Sequence, residues 1–529
     1  MTEAASQSLP LHHVQWRSST SPWLIAAAVM SATFMEVLDT TVVNVSLPHI
    51  AGNLSAGTEE ATWVLTSYLV ANAIVLPATG WLSSYFGRKR FLMTCIIIFT
   101  LASALCGAAT SLPMLIFARI LQGIGGGALQ PISQAILLES FPPRKRGVAM
   151  AVFGLGVVVA PIIGPTLGGW ITDNYSWRWV FYINLPIGIA AVALVESFIQ
   201  DPPYLSHGRS RTIDYIGFGL LAIWVGALQI MLDKGQQEDW LESPFIRTLL
   251  VIAALGLVAF VIWELMVEHP IVHLKILKNR NFATGTALIT IVGVVLYGSI
   301  ALLPLFLQQL LGYSALDSGL AISPRGVGSL CMMLMIGRLI GVIDARLLVT
   351  FGFGLLGIAT LQFAHLSMVI APTNIVWPNV FSGVALACIF VPLTTLTMGT
   401  LPNHELGNAT GLFNLMRNLG GSMGIALVTT LLSRGAQIHQ VGLVAHLTPY
   451  DYAYQQRLAQ ITSGLAPKIG ELAASQQAQA GVYGEALRQA VLQSYVDDFR
   501  LMAVMCLLCI PALLLFQRPV HAPLPGAAH

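Results

Sequence analysis

Apolar residues run in long, almost uncharged blocks from Trp23 nearly to the C-terminus, with polar residues gathered in short stretches between them. Each block approaches the roughly 20 residues a helix needs to cross ~30 Å of hydrocarbon. The ~10-residue alternating segments of a membrane barrel do not occur. The pattern predicts fourteen spans, at 23–45, 61–82, 91–110, 114–136, 148–170, 180–199, 213–231, 246–265, 282–303, 319–338, 346–366, 376–396, 411–433 and 498–516. An even number puts both ends of the chain on one side. The first block is too long, and lacks a small-residue cleavage site, to be a removed signal peptide.

One connection breaks the rule of short loops. Residues 434–497 are polar and rich in Gln and Ala, and "YQQRLAQITSGLAPKIGELAASQQAQAG" has helix-favouring composition. Long loops usually have a task. This one is expected either to pack as a small helical cap or to meet a partner outside the membrane.

Composition agrees with the pattern. Of 529 residues, 55% are hydrophobic and only 9% charged, against about 25% in an ordinary soluble domain. The chain is therefore expected to be an all-α polytopic membrane protein. The net charge of +2 gives no reason to expect a nucleic-acid partner. The six cysteines all fall in apolar segments, as buried small hydrophobes would. Neither a zinc nor a disulfide framework is apparent.

Basic residues choose the orientation. One set of loops and tails carries Arg17, Arg88, Lys89, Arg90, Arg144, Lys145, Arg146, Arg209, Arg211, Lys275, Lys278, Arg280, Arg338, Arg346 and Arg518. The short loops of the opposite set hold only Arg178 and Lys234. Both termini are expected in the cytoplasm, and 434–497 outside.

Several charged residues sit where lipid should exclude them. "FMEVLDTTVVNV" (Phe34–Val45) places Glu36 and Asp39 in the first span, three residues apart and so on one helix face. Intramembrane charge costs at least ~2.5–3.5 kcal/mol on insertion scales. Such acids must face a watery cavity or stay protonated, and a desolvated carboxyl is suited to carrying protons near neutral pH. The bland alternative is a pair hydrogen-bonded for packing. Arg119, in "LIFARILQGIGGGALQP", cannot lose its proton and needs an anion or several carbonyls. The first-span carboxylates are natural candidates, and Gln122 shares Arg119's face. The nearby glycines allow close helix approach and do not form a phosphate cradle. "GLGVVVAPIIGPTLGGWI" concentrates Pro161, Gly164, Pro165, Gly168 and Gly169 in the fifth span, a composition suited to a bend at a gate. Arg325 and Arg417 lie within the tenth and thirteenth spans, where binding an anionic group and filling a structural role are both open. Glu196, Asp214 and Glu264 lie near helix ends and are expected to be solvated.

Together these motifs resemble the fourteen-helix drug:proton antiporter branch of the major facilitator superfamily, and within it the EmrB-type inner-membrane pumps of Gram-negative bacteria. "LDTTVVNVSLP" resembles the family's first-helix motif, with Asp39 as its acid. "GWLSSYFGRKR" resembles the loop motif after the second helix, with Gly80, Gly87, Arg88, Lys89 and Arg90 in place. "RILQGIGGG" resembles the fourth-helix motif, and "APIIGPTLGGW" the antiporter motif. "SWRWVFYINLPIG" matches the fourteen-helix branch in particular. Ser84 and Tyr85 stand where the loop motif usually has Asp and Arg, which puts that motif's charge relay in doubt. Ala160 replaces the usual opening Gly of the antiporter motif.

The resemblance implies a major facilitator fold of two six-helix bundles plus two extra helices: a tail at 1–22, a bundle at 23–199, linker helices at 213–265, a bundle at 282–516 holding the 434–497 loop, and a tail at 517–529. A faint echo between "GWLSSYFGRKR" and "GRLIGVIDARL" (Gly337–Leu347) fits two related halves. The resemblance further implies proton-coupled efflux of a small hydrophobic substrate. Glu36, Asp39 and Arg119 would couple protons, and Glu36, Asp39, Gln122, Arg325 and Arg417 would line the cavity. A periplasmic membrane-fusion adaptor and an outer-membrane channel of the TolC type would be partners. No cofactor is expected, since no ATP-binding loop is present and the proton-motive force would supply the energy. A proton-coupled exporter of a specific metabolite, weak acid or fatty acid, a uniporter or nutrient importer, a non-transporting receptor and a membrane-embedded enzyme are the rivals. The last lacks GxSxG, HExxH and metal-ligand spacing.

Overall fold

The computed structural model describes residues 20–517 apart from 143–144, 202–213, 341, 369, 371–372 and 403–404. Arg17, Arg144, Arg209, Arg211 and Arg518, and most of both tails, lie outside the described residues. Among the described residues, fourteen helices are long and apolar enough to cross a membrane. The first six are α1 (Pro22–Asn53), α2 (Trp63–Phe86), α3 (Arg88–Gly107), α4 (Leu112–Ser140), α5 (Arg146–Asn174) and α6 (Trp179–Phe198). Then come α7 (Tyr215–Lys234) and α8 (Pro244–Met266), followed by α9 (Arg280–Leu310), α10 (Asp317–Leu339), α11 (Ala345–Phe363), α12 (Thr373–Met398) and α13 (Leu406–Val444). The amphipathic α14 (Tyr452–Ile469) precedes the last span, α15 (Glu471–Leu515).

Local sequence explains where helices start. Asp214 caps α7 by accepting from the Gly217 amide at 2.8 Å. Asn279 accepts from the Asn281 and Phe282 amides at the head of α9, and Asp344 from the Arg346 amide at the head of α11. Such caps satisfy amides that the helix itself leaves open. Gly87 at φ +84° makes the corner between α2 and α3, a conformation that L side chains rarely adopt.

Helices α1 to α6 pack as one group and α9 to α13 with α15 as another, joined mainly by α2 against α13 and α5 against α10. Helix α7 lies on α2 and α13, and α8 packs on α7. Only 22% of the most apolar stretch of α8 is buried against protein, as befits a helix facing lipid. The groups approach closely at the end of the molecule where α1 begins. A Cβ on Gly80 of α2 would lie 2.5 Å from the Asn408 backbone nitrogen of α13. Gly337 of α10 faces Val148 of α5 at the same end. The two glycines of the sequence echo thus mark corresponding contacts.

The thirteenth and last helices outrun the predicted spans 411–433 and 498–516. At ~1.5 Å per residue, 39 residues span about 58 Å and 45 about 68 Å, roughly twice the hydrocarbon thickness. Hydropathy stops at the first polar residues, but Ala, Gln and Arg are good helix formers, so the helices continue. Between them, α14 packs along α15, with Asp451 capping it and Gly470 at φ +81° turning the chain. The Arg457–Glu485 pair ties the two.

Glu264 departs from expectation. It is 2% exposed, not solvated, and accepts from the Val272 amide at 3.3 Å. The chain after α8 folds back over the helix end and covers it. Glu196 is exposed as expected. Five of the six cysteines are buried, and Cys331 is exposed on α10.

Candidate functional site

The first-span acids face different neighbours. Asp39 is buried at the middle of α1, α3, α4 and α6. Arg119 of α4 donates Nη1 to Asp39 Oδ2 at 2.6 Å, with both side chains essentially inaccessible. The other carboxylate oxygen accepts from Gln122 Nε2 at 2.9 Å and Asn184 Nδ2 at 2.8 Å. Arg119 is further satisfied by the Val64 carbonyl at 3.0 Å and Gln122 Oε1 at 2.7 Å, and lies 4.2 Å from the Tyr68 ring centroid. Ser103 accepts from both amides and donates to the Phe181 carbonyl. The result is a closed knot in which a buried charge pair has both carboxylate oxygens and two guanidinium nitrogens bonded, as a tolerated buried pair requires.

Glu36, one turn earlier, points toward the seam. Tyr68 Oη donates to its Oε1 at 3.2 Å, Asn72 Nδ2 to the same oxygen at 3.3 Å, and Gln130 Nε2 to Oε2 at 2.6 Å. Gln130 in turn accepts from Arg417 Nη2 of α13 at 2.5 Å. Glu36, Gln130 and Arg417 form a chain across the two halves. A parallel link joins Asn414 Nδ2 to Gln134 Oε1 at 2.7 Å. Glu36 is held by neutral donors alone. Asp39, by contrast, is held by the Arg119 guanidinium.

Arg325 does not join either cluster. It sits between α9 and α10, donating to the Ser299 hydroxyl at 3.2 Å. The gate residues divide between two places. Gly164 and Gly168 of α5 lie against Thr41 and Val42 of α1, and Gly169 is in ordinary contact with Val45. Pro161 and Pro165 are carried within an unbroken α5. At the other end, beside Gly80 and Gly87, Arg88 forms a buried ion pair with Glu139 of α4. The Lys89 amide donates to Asp201 at 2.8 Å and its ammonium to the Glu196 carbonyl, while Arg90 is exposed. With Ser84 and Tyr85 in place of charge, Glu139 and Asp201 supply the acids around the loop.

Sequence reasoning missed Tyr68, Asn72, Ser103, Gln130, Glu139 and Asn184. Their signal was available: each polar group inside an apolar span needs a partner, and Tyr68 and Asn72 share a helix face. Among the described residues, no group of three or more His, Cys, Asp or Glu could hold a metal ion.

Twelve spanning helices in two groups with two more packed alongside, and ionisable residues buried between and within the groups, define a polytopic carrier rather than an enzyme. The Major Facilitator Superfamily model matches residues 29–425, and the chain belongs to that family. It is 41% identical over 432 residues to the Multidrug export protein EmrB of Haemophilus influenzae, covering 81% of this chain and 84% of that one. It is 41% identical over 436 residues to the Fatty acid resistance protein FarB of Neisseria gonorrhoeae, covering 82% and 85%. The crystal structure of the human organic anion transporter MFSD10 (TETRAN) superposes with a TM-score of 0.58 at 14% identity, covering 92% of this chain and 99% of that one, a likeness of fold. The chain is a multi-pass inner-membrane transporter of bacterial type, acting on small molecules within the lipid bilayer.

Proposed function

We propose that this protein is a proton-coupled antiporter that exports hydrophobic and amphipathic drugs or other toxic organic compounds. Both termini would lie in the cytoplasm. Its similarity to multidrug export proteins supports the reading, but the observation that carries it is the Glu36–Gln130–Arg417 chain. An acid that can exchange its proton is wired directly to the surface that must part when the halves rock. Protonation of Glu36 removes the charge that balances Arg417 across the seam, and so biases one arrangement of the halves over the other. Asp39 and Arg119 hold α1, α4 and α6 in register, and change state only when the knot opens. A proton entering down 100 mV supplies about 2.3 kcal/mol, apart from the pH gradient.

The outer hairpin of α14 and α15 would dock a periplasmic membrane-fusion adaptor, and through it an outer-membrane channel of the TolC type. The test of the core reading is substrate export by purified protein in proteoliposomes under an imposed pH gradient. Export that proceeds equally without the gradient refutes proton coupling.

A further inference from the structure

Helix α7 belongs to neither bundle, yet its second half is bonded to both. Gln229 is 4% exposed inside an apolar span, where a side-chain amide needs a partner. It finds one on α13: its Nε2 lies 2.7 Å and its Oε1 3.0 Å from the Ser422 hydroxyl. One turn on, Asp233 and Lys234 bond toward α2. Thr66 donates to the Asp233 carboxylate. The buried Lys234 ammonium donates to the Thr62 hydroxyl and to Gln237 Oε1, the latter at 3.0 Å, and lies 5.2 Å from the Trp63 ring centroid. A Cβ on Gly226 would be in ordinary contact with Val70 and Ile74 of the same helix.

The turn after α7 adds a second bond to α13 and holds it with a strained backbone. Trp240 donates Nε1 to the Thr430 hydroxyl at 2.9 Å. Asp239 and Trp240 both stand at φ +52°, a left-handed conformation that is unfavourable for residues carrying a side chain. The indole packs on Gly235, where a Cβ would lie 2.6 Å from Trp240 Cζ3. The Trp240 amide closes the turn on the Gly235 carbonyl at 2.8 Å. Strain of this kind persists only where the surroundings fix it, and here they fix an indole against α13.

Helices α2 and α13 lie in different bundles, so α7 ties the two together at the end opposite the Gly80–Asn408 contact. Thr62 precedes Gly80 by eighteen residues, about 27 Å by helix rise. A rotation of a few degrees about that contact displaces the far ends by about 1 Å or more, enough to break hydrogen bonds that tolerate only ~2.7–3.2 Å. The two sides of the tie are unequal. Asp233 and Lys234 bring charged groups to α2, whereas the bonds to Ser422 and Thr430 are neutral, and charge-assisted bonds are roughly twice as strong. The α13 side gives way first.

We infer that α7 travels with the first bundle, and that Gln229 and Trp240 are positioning residues for transport: by bonding Ser422 and Thr430 they stabilise the arrangement of the halves seen here, and they release α13 when the halves rock. The inference rests on rocking of the two bundles, and on neither the substrate nor proton coupling.

The test is double electron–electron resonance on the full chain in nanodiscs, with Cys331→Ser removing the exposed native thiol. Spin labels on pairs drawn from Leu69→Cys of α2, Ile223→Cys of α7 and Leu427→Cys of α13, all exposed positions, report three distances. In Gln229→Met with Trp240→Phe, the α7–α2 distance should stay as in the parent. The share of molecules at a second α2–α13 distance should rise at least about fivefold, the factor that one neutral hydrogen bond supplies. Ser422→Ala should produce part of this rise, and Ser422→Thr, which keeps the hydroxyl, should restore the parental distribution. Neither label of the α2–α13 pair sits on a substituted residue, so a local loss of packing around α7 leaves that distance alone. Asp233→Asn with Lys234→Met should instead broaden the α7–α2 distance. An α2–α13 distribution unchanged in Gln229→Met with Trp240→Phe overturns the inference, as does an α7–α2 distance that changes as much as the α7–α13 distance. If that double variant aggregates, the Ser422→Ala and Ser422→Thr pair decides on the same readout. None of these distances requires a substrate or a pH gradient, so failure of the export reading leaves the result standing.

Discussion

Removing one partner of the Asp39–Arg119 pair should be far worse than removing both charges. Arg119→Met leaves the Asp39 carboxylate with two amide donors, Gln122 at 2.9 Å and Asn184 at 2.8 Å, but no cation. Asp39→Asn leaves Arg119 with the Val64 carbonyl and Gln122 Oε1 only. An uncompensated charge at a site of 1% exposure or less should cost about 3–5 kcal/mol in either case. In the double variant no charge remains. The amide introduced by Asp39→Asn can still accept from Gln122 and Asn184 through its carbonyl, and the loss falls to one unsatisfied amide, about 1–3 kcal/mol. If the sites were independent the two singles would add to ~6–10 kcal/mol, so the cycle should show a coupling of several kcal/mol. Reversible unfolding in mixed micelles, followed by tryptophan fluorescence, measures it. Two results refute the reasoning: an Arg119→Met variant within ~1 kcal/mol of the parent, or a double variant whose loss equals the sum. The double variant also tests the mechanism, because it should fold and yet export without response to a pH gradient. A retained response removes the knot from the coupling scheme.

Glu36→Gln keeps an acceptor for Gln130 but removes the charge that balances Arg417, so substrate-induced proton release from the purified protein should vanish; release equal to that of the parent assigns the proton elsewhere. Gly80→Val puts a side chain where Asn408 backbone atoms lie within 2.6 Å of the Cβ position. It should cost about 1–3 kcal/mol at the seam and reduce export in proteoliposomes, with Gly80→Ala intermediate; export at the parental rate in the Val variant contradicts a tight seam there. Replacing residues 445–470 with a short Gly-Ser linker should leave vesicle export intact and abolish adaptor pull-down, and undiminished pull-down places the docking surface elsewhere.

The spans were legible because burial in lipid writes itself into every residue of a helix. A run such as that of α8, uncharged from Thr248 to Trp263, has no other physical reading. Helix ends were less so. Hydropathy reports where the bilayer stops, whereas the hydrogen-bond ladder of α13 runs on to Val444 and that of α15 begins already at the Gly470 turn. The cover over Glu264 depends on where the chain after α8 folds, and no local pattern encodes that.

The acid pair shows the limit most clearly. Spacing of three places Glu36 and Asp39 on one face of α1, and that geometry holds. A face about 100° wide on a helix ~10 Å across nevertheless touches several neighbours, and one turn is enough to change which. Asp39 meets Arg119, Gln122 and Asn184 within its own bundle, while Glu36 meets Gln130 and, through it, Arg417 of the other bundle. Sequence offered both carboxylates to Arg119, and only packing decides that Arg119 takes one. Two acids of similar chemistry are thereby given unlike tasks. The one in an ion pair locks helices within its own bundle, and the one among neutral donors lies where the halves meet, which is why the proposed mechanism gives the proton to Glu36.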